Sequence, residues 1–193
     1  MNFDEFDMVL IGIGEEFEDS DNSLVAYNNL CEKLGKKNYF IVSMCIDDKI
    51  YDSSLDKERI VAPLGGKHKK QCPDACDGAL YDINETNCPI CGKELVFNNV
   101  WADNYIEDDY LPMWEKYKKW FAGTLNRKLL VLELGVSLKF PQIIRFPFER
   151  AAVINNKAKF IRVNNHIPQI DKELSDKGES IKECSVDWLA NMD

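Results

Sequence analysis

The sequence MVLIGIG, residues 8–14, decides the class of fold that this chain adopts. It is a short apolar run that ends in a Gly-Ile-Gly turn, which is typical of a buried parallel strand. Apolar residues then recur at helical spacing over 24–34, and Gly35 follows as a helix C-cap. The same kind of apolar strand returns at residues 39–42, 129–134 and 160–163.

The order of these elements predicts an α/β protein with a Rossmann-like parallel sheet. Strand, helix and strand are followed by a loop-rich insert, a helix at 113–121, and then strand, helix and strand. Such an order favours right-handed crossovers between parallel strands. Ligands bind such sheets beyond the carboxyl ends of the strands. Gly12, Ser43, Gly135 and Asn164 fall at these ends and are candidate binding residues.

The composition is that of a globular protein and excludes several classes of function. The chain has 193 residues, 45% of them hydrophobic and 30% charged, which suits one folded domain with an inserted module. Its net charge of −9 would repel nucleic acid, so neither DNA nor RNA is an expected partner. The sequence lacks an apolar run of the roughly 18 residues that a membrane helix needs. Its acidic start is unlike a signal peptide, so we expect a cytoplasmic protein.

Four of the seven cysteines predict a structural zinc site. Cys72 and Cys76 form one closely spaced pair, Cys88 and Cys91 form a second, and eleven residues separate the pairs. Short spacings of this kind let two tight turns close four thiolates on one zinc ion, whereas the alternative is four free thiols that cluster by chance. We therefore expect a zinc-ribbon module at 61–105. The Rossmann-like domain would then comprise residues 1–60 and 106–193.

The remaining cysteines and both histidines have ordinary structural interpretations. We expect Cys31 and Cys184 to be buried as small apolar residues. Cys45 ends a strand at the presumed pocket, but no partner base is visible in the sequence, so an inert thiol is favoured over a nucleophile. His68 lies in a lysine-rich loop and is expected to be solvated, and His166 is expected to be structural.

Several of these stretches resemble the sirtuins. Residues 40–47 are similar to the family strand that ends in Thr-Gln-Asn-Ile-Asp, and residues 63–65 lie where the family has His-Gly. The two cysteine pairs match the sirtuin zinc ribbon. Residues 134–138 resemble the family Gly-Thr-Ser-Leu, and residues 162–164 resemble its Ile-Asn. Within the family, the stretches at 132–136 and 143–149 are most similar to the macrodomain-linked sirtuins of bacteria.

The resemblance implies a reduced sirtuin fold that uses NAD. Typical sirtuins remove acyl groups from lysine, whereas the macrodomain-linked class resembles protein ADP-ribosyltransferases. By position, Ser137 would face the phosphate or ribose, Asn164 the adenine ribose, and Asp47 the nicotinamide pocket. The cofactor-binding residues implied in this way are Gly12, Gly14, Ser43, Asp47, Gly135, Ser137 and Asn164.

The sequence also departs from the family pattern at positions that catalysis needs. The catalytic histidine falls on Leu64, and the asparagine of the nicotinamide pocket falls on Cys45. Only 28 residues separate Gly14 from Ser43, so the cofactor loop is missing. We therefore expect a degenerate, non-catalytic member, a pseudoenzyme that binds a protein partner or an ADP-ribose-like nucleotide. The alternative is an active NAD-dependent ADP-ribosyltransferase or deacylase that uses other groups.

The turn after residue 14 is acidic, which bears on phosphate binding. A Gly-x-Gly turn can present backbone N–H groups to a phosphate, or it can be an ordinary strand-to-helix turn. Glu15 and Glu16 follow directly. Each would repel a diphosphate by about 4 kcal/mol per charge pair at 4 Å and an effective dielectric constant of 20. We expect these carboxylates to occupy the anion site themselves.

Overall fold

The computed structural model describes residues 3–192, whose main body is a parallel sheet with helices on both faces. In chain order the strands are β1 (Met8–Ile13), β2 (Asn38–Ser43), β3 (Ile60–Val61), β4 (Gly65–Gln71), β5 (Leu80–Asp82), β6 (Val96–Asn99), β7 (Leu129–Leu134), β8 (Lys159–Val163) and β9 (Gly178–Ile181). The α-helices are α1 (Ser23–Leu34), α2 (Leu111–Ala122), α3 (Arg145–Ile154) and α4 (Ser185–Ala190). Over residues 3–192 the main sheet has six strands in the order β3-β2-β1-β7-β8-β9, and all its pairs are parallel.

Strand β1 lies inside this sheet because its sequence is apolar on both faces. All six of its residues are buried, and it pairs with β2 on one side and β7 on the other. Alternate side chains enter two separate cores, as the two-residue period of a strand requires. Val9 and Ile11 belong to the core that includes α1 and α4, whereas Leu10 belongs to the core that includes α2 and α3. The predicted α/β class and parallel sheet are confirmed.

The sequence does not indicate three short elements at the margins of the sheet. Strand β3 has two residues, β9 has four, and helix α4 has six. Strand β9 carries a Gly-Glu-Ser-Ile sequence that is only half-buried, so it has no apolar run to reveal it. Tertiary pairing with β8, rather than local sequence preference, makes this segment a strand.

The insert forms a second, smaller sheet with antiparallel pairing. Its strands lie in the order β5-β4-β6. The hydrophobic cluster of this sheet is small and consists of Cys72, Tyr81, Cys88 and Leu95. An apolar cluster of this size cannot offset the conformational entropy of ordering the insert, so the sheet needs a further source of stability.

None of the helices formed by residues 3–192 has the length and apolar content that crossing a bilayer requires. The longest of them, α1 and α2, have 12 residues each, against the roughly 20 that a spanning helix needs.

Candidate functional site

Ligands of open parallel sheets bind beyond the carboxyl ends of the strands, and we call that position, at the ends of β1, β7 and β8, the crevice. The chain after β1 folds directly over it. Gly14 donates its N–H to Leu134 O at 2.8 Å, and a Cβ atom at Gly14 would overlap the backbone at Gly135. This close approach places the single-turn 3-10 helix Glu15–Phe17 against the ends of β7 and β8. The predicted strand-to-turn sequence therefore brings two carboxylates to the crevice.

Glu15 binds the loop that follows β7. Ser137 donates its backbone N–H to Glu15 Oε2 at 3.0 Å and its hydroxyl to Glu15 Oε1 at 2.6 Å. Both carboxylate oxygens thus have a donor from one residue. Hydrogen bonds to an ionised carboxylate are short and are stronger than those between neutral groups. The predicted phosphate or ribose contact, Ser137, is therefore already bound to a negative charge of the chain itself.

Glu16 binds the segments that follow β8 and β9. Asn165 donates its N–H to Glu16 Oε1 at 2.9 Å. Ser185 donates its N–H to Glu16 Oε2 at 2.9 Å and its hydroxyl to the same oxygen at 2.7 Å. Gly135, at φ +62°, makes this approach possible because a Cβ atom there would contact Glu16 and Ser185. The sequence predicts that the carboxylate of Glu16 occupies an anion site. In the structure this carboxylate lies among hydrogen-bond donors that suit an anion.

Asn164 is a structural residue of the loops around the crevice. It is 2% exposed, and its Nδ2 donates to Val136 O at 2.9 Å. Its Oδ1 accepts the N–H of His166 at 2.9 Å and the N–H of Ile167 at 2.8 Å. All these bonds lie within the chain, so Asn164 fixes the loops after β7 and β8 relative to one another. Its predicted contact with an adenine ribose stays a prediction.

Asp47 and Ser43 likewise have partners in the chain. Asp47 Oδ2 accepts the N–H of Asp19 at 3.0 Å, and its Oδ1 accepts the N–H of Lys49 at 3.2 Å. Ser43 is fully buried, and its Oγ accepts the N–H of Cys45 at 3.2 Å. Asp47 therefore ties the acidic segment after β1 to the loop after β2, and its place at a nicotinamide pocket stays a prediction.

Gly12 lies inside β1 rather than in the turn. A Cβ atom at Gly12 would contact Ile144 Cγ2 at 2.5 Å and Phe148 Cε2 at 2.9 Å. The missing side chain therefore lets α3 and the residue before it pack onto the sheet. This packing accounts for the glycine without a phosphate, whose predicted contact with Gly12 stays a prediction.

Neither Leu64 nor Cys45 has the chemistry of a proton acceptor here. Leu64, at the position of the family's general base, is 4% exposed and packs in the core that contains α2 and α3. Cys45 is buried, its Sγ donates to Gly14 O at 3.3 Å, and burial raises the pKa of its thiol well above the ordinary range. The expectation of an inert thiol agrees with this environment, because thiolate is the nucleophilic form.

Sequence reasoning missed a buried ionic cluster beneath the crevice. Arg162 donates to both Glu133 oxygens, at 2.6 and 2.8 Å, and to Glu149 at 2.8 Å. Arg162 and Arg145 also donate to Gln169 O, which holds the loop after β8. Burial raises the pKa of Glu133, while its bond to Arg162 acts in the opposite direction.

The sequence does contain a signal for this cluster. Glu133 interrupts the apolar strand β7, Arg162 interrupts the buried apolar part of β8, and the two residues are paired directly across these strands. A charge in a fully buried strand is costly unless it is paired, so two such interruptions indicate a contact.

His68 is exposed, as the sequence suggests, but it lies in a strand rather than a loop, and both of its ring nitrogens have carboxylate partners. It lies in β4, with its Nδ1 at 2.9 Å from Asp48 Oδ1 and its Nε2 at 2.9 Å from Asp109 Oδ2. The two carboxylates, Asp109 first, raise the pKa of His68 to about 10, although its side chain is 42% exposed. The ring is therefore an imidazolium that joins three segments, and it has no free nitrogen to act as a base.

Cys31 and Cys184 also differ from their expected burial. Both are half-buried at the edge of a core rather than inside it. Cys31 donates its thiol to Ser54 O at 3.1 Å. This hydrogen bond gives the thiol of Cys31 a polar partner at the edge of the core.

The four predicted zinc ligands meet at one point in the insert. The Sγ atoms of Cys72, Cys76, Cys88 and Cys91 all lie within 4.8 Å of one another. Cys72 Sγ is 3.6 Å from both Cys76 Sγ and Cys91 Sγ. Tetrahedral zinc with Zn–S bonds of about 2.3 Å requires sulfur atoms about 3.8 Å apart. The donor set and its spacing therefore fit a zinc ion with four protein ligands, and the cluster can hold one.

Known proteins resemble this chain in fold and only weakly in sequence. No protein-family model matches the sequence. A curated protein of Staphylococcus aureus (strain Mu50) named "Protein ADP-ribosyltransferase" is 20% identical over 162 residues, which are 73% of this chain. The chain spans about half of that relative's length, 51%.

Two solved structures of Sir2 homologues share the architecture. One is a mutant in complex with 2'-O-acetyl ADP ribose, at 12% identity, and the other is a serine-to-alanine mutant in complex with ADP ribose, at 10% identity. Each superposes with a TM-score of 0.61 and covers 96% of this chain and 90% of its own. The chain therefore has the fold of the Sir2 homologues.

Proposed function

We propose that this chain is a non-catalytic binding module with a Sir2 fold, which holds an ADP-ribose-like nucleotide or a protein partner without turning NAD over. Residues 61–105 would be its zinc module, and 1–60 with 106–193 its Rossmann-like domain. A site made of four thiolates suits a reducing compartment, so we place the protein in the cytoplasm.

The observation that carries this proposal is the environment of Leu64. The resemblance to sirtuins places the general base at this position, and a buried leucine among apolar neighbours cannot accept a proton. General-base catalysis typically contributes about 10²- to 10⁴-fold to a rate. His68, four residues on, is held between two carboxylates and cannot replace the base.

The nucleotide part of the proposal is supported by the hydrogen-bond donors that follow β7, β8 and β9. Backbone N–H groups and hydroxyls that converge on one point are the groups that bind phosphate. Similar structures were solved with ADP ribose and 2'-O-acetyl ADP ribose. We expect weak binding, because Glu15 and Glu16 already accept the hydrogen bonds of Ser137, Asn165 and Ser185.

One exposed aromatic cluster supports the protein-partner part. Trp101 is 61% exposed, and its ring lies 6.0 Å from that of Phe140 and 5.4 Å from Lys139 Nζ. Tryptophan in such a setting is typical of the energetic centre of an interface. A partner that uses this cluster should be lost from Trp101→Ser, and it should be kept by Ile154→Ser, a matched exposed position on α3.

The competing function is NAD-dependent ADP-ribosyl transfer, which the name of the curated relative favours. Release of nicotinamide from NAD distinguishes the two. We expect no release above the rate of the buffer, with or without acceptor proteins, and no deacylation of an acyl-lysine peptide. Leu64→His should not create activity, because the cofactor loop is also absent. Nicotinamide release or deacylation by the wild-type chain would overturn the non-catalytic assignment.

A further inference from the structure

We propose that Glu15 and Glu16 are an internal competitor for the crevice, and that a diphosphate ligand binds only when their side chains leave. We call residues 15–17, the single helical turn that carries them, the acidic plug. The inference rests on the nucleotide part of the proposed function. It does not depend on whether the chain has any catalytic activity.

The plug satisfies hydrogen-bond donors that a diphosphate could also use. Its carboxylates belong to consecutive residues, and they accept hydrogen bonds from three backbone N–H groups and two hydroxyls, at 2.6–3.0 Å. These donors come from three separate segments, which follow β7, β8 and β9. A diphosphate also carries two anionic groups that need several hydrogen-bond donors. The donors cannot serve both anions at once, so ligand and plug compete.

The plug can open by side-chain rotation alone. Its third residue, Phe17, is fully buried and stacks on Tyr27 with ring centroids 5.3 Å apart, so this end of the turn is fixed. Gly14 fixes the other end against Gly135. Glu15 and Glu16 are only half-buried, however, and have solvent beside them. New rotamers would expose the donors without any movement of the backbone.

Opening leaves the negative charges near the crevice, which explains why binding should be weak in the wild type. Glu18 and Asp19 continue the acidic run, and Asp47 holds it through the N–H of Asp19. A ligand with two phosphates therefore has to displace the two carboxylates, and it is also repelled by the other negative charges nearby. The apparent affinity is the intrinsic affinity reduced by the small fraction of molecules whose plug is open.

Glutamine at each position tests occupancy, because an amide cannot accept at both ends. Glu16 faces N–H groups with both of its oxygens, so Glu16→Gln must set its NH₂ against the N–H of Asn165 or that of Ser185. Glu15 faces one N–H and one hydroxyl, and the hydroxyl of Ser137 can rotate to accept from the amide. We therefore expect Glu16→Gln to open the plug more than Glu15→Gln.

The experiment is a calorimetric titration of the zinc-loaded chain with ADP-ribose, followed by one with inorganic pyrophosphate. We expect the Glu15→Gln/Glu16→Gln double variant to bind ADP-ribose at least about tenfold more tightly than the wild type. The affinity of the Glu16→Gln variant should lie between those two and above that of Glu15→Gln. Pyrophosphate should compete with ADP-ribose for binding, because the donors that the plug occupies would bind the diphosphate group and not the nucleoside. The control is Glu32→Gln/Glu173→Gln, which removes two charges from exposed positions on α1 and before β9 and should match the wild type.

Amide NMR shifts supply a second measurement that does not require tight binding. The N–H signals of Ser137, Asn165 and Ser185 should move in the double variant before any ligand is added, and again on adding ADP-ribose. Equal affinity in the wild type and a folded double variant would overturn the proposal, as would no binding to either at about 1 mM. Tighter binding with unmoved amide signals would also overturn it, since the charges would then act only from a distance. Nicotinamide release by the double variant would contradict the non-catalytic assignment, but it would not contradict the proposal that Glu15 and Glu16 compete with the ligand.

Discussion

Gly14 is the residue at which the two sides of the crevice come closest. Its backbone lies against that of Gly135, with no space for a Cβ atom between them. Backbone cannot move aside as a flexible side chain can, so any substitution must push β1 and β7 apart or displace the acidic plug. Gly14 therefore allows two turns to pack closely, which the fold needs whether or not a ligand binds.

We expect Gly14→Ala to lower the free energy of unfolding by about 1–3 kcal/mol or more, because overpacked sites of this kind cost that amount. Gly123→Ala is the control, since a Cβ atom there would meet no atom nearer than Trp120 O at 3.2 Å, and its φ of −75° suits alanine. Urea unfolding measures both. A Gly14→Ala variant as stable as Gly123→Ala would show that the two turns are not tightly packed.

Single residues also mark the limit of sequence reasoning about the site. The acidity of Glu15 and Glu16 is visible in the sequence, and it predicts that they fill an anion site. Their partners Asn165 and Ser185 could not be predicted, because contacts separated by 149 and 169 positions depend on how β8 and β9 are placed. Ser137 is a predicted ligand contact, yet its own chain supplies the anion.

At the scale of elements, the strands that sequence analysis finds are the buried ones. β1, β2, β7 and β8 have near-continuous apolar sequences, which is what burial on both faces of a parallel sheet demands. The short edge strand β9 carries no such signal. The antiparallel sheet of the insert is missed as well, because its strands are half-exposed and do not alternate regularly. The insert is recognisable from its cysteines and its loop-rich composition, and not from any strand pattern.

The metal should determine whether the insert folds. We expect the purified chain to carry about one zinc ion, and Cys88→Ser to lose it, because the binding energy of a structural zinc is folding energy. Native mass spectrometry gives the metal content. Amide hydrogen exchange should rise over β4, β5 and β6 and stay low in β1 and β7, since the two sheets have separate cores.

Cys31→Ser is the matched control for this experiment. It removes one thiol from outside the metal cluster, and a serine hydroxyl can still donate to Ser54 O. We expect the variant to keep both its zinc and its exchange pattern. A wild-type chain that contains no metal and is unchanged by a chelator would contradict the zinc assignment.

At the scale of the whole molecule, His68 connects the two sheets. It belongs to β4 of the insert, whereas its partners Asp48 and Asp109 belong to the loop after β2 and to the turn before α2. The ring also packs edge-on against Tyr51, with centroids 6.1 Å apart. A charged imidazole between two carboxylates thus ties the insert to the main body. No local pattern could predict this link, because the partners lie 20 and 41 positions from His68.

This connection should make the stability of the molecule depend on pH. Hydrogen bonds to Asp109 and Asp48 raise the pKa of His68 to about 10, against about 6.5 for histidine in an unfolded chain. A raised pKa means that the folded state holds the proton more tightly, so the stabilisation is complete below about pH 6.5 and is lost as pH rises through about 10. Because the side chain is 42% exposed, solvent screens part of the effect.

His68→Gln isolates that contribution, since glutamine does not titrate and can still form a hydrogen bond with one carboxylate. We expect the difference in free energy of unfolding between wild type and variant to be largest near pH 6 and to shrink steadily towards pH 10, as measured by urea unfolding of the zinc-loaded proteins. The difference between the two free energies of unfolding cancels the titration of the tyrosines, lysines and zinc ligands, because both proteins contain these groups. Asp109→Asn leaves Asp48 as the one carboxylate partner of His68 and so lowers the pKa of the imidazole. The pH range over which the stabilisation is lost should therefore move to lower pH. A difference that stays constant from pH 6 to 10 would mean that His68 is not the charged link between the sheets.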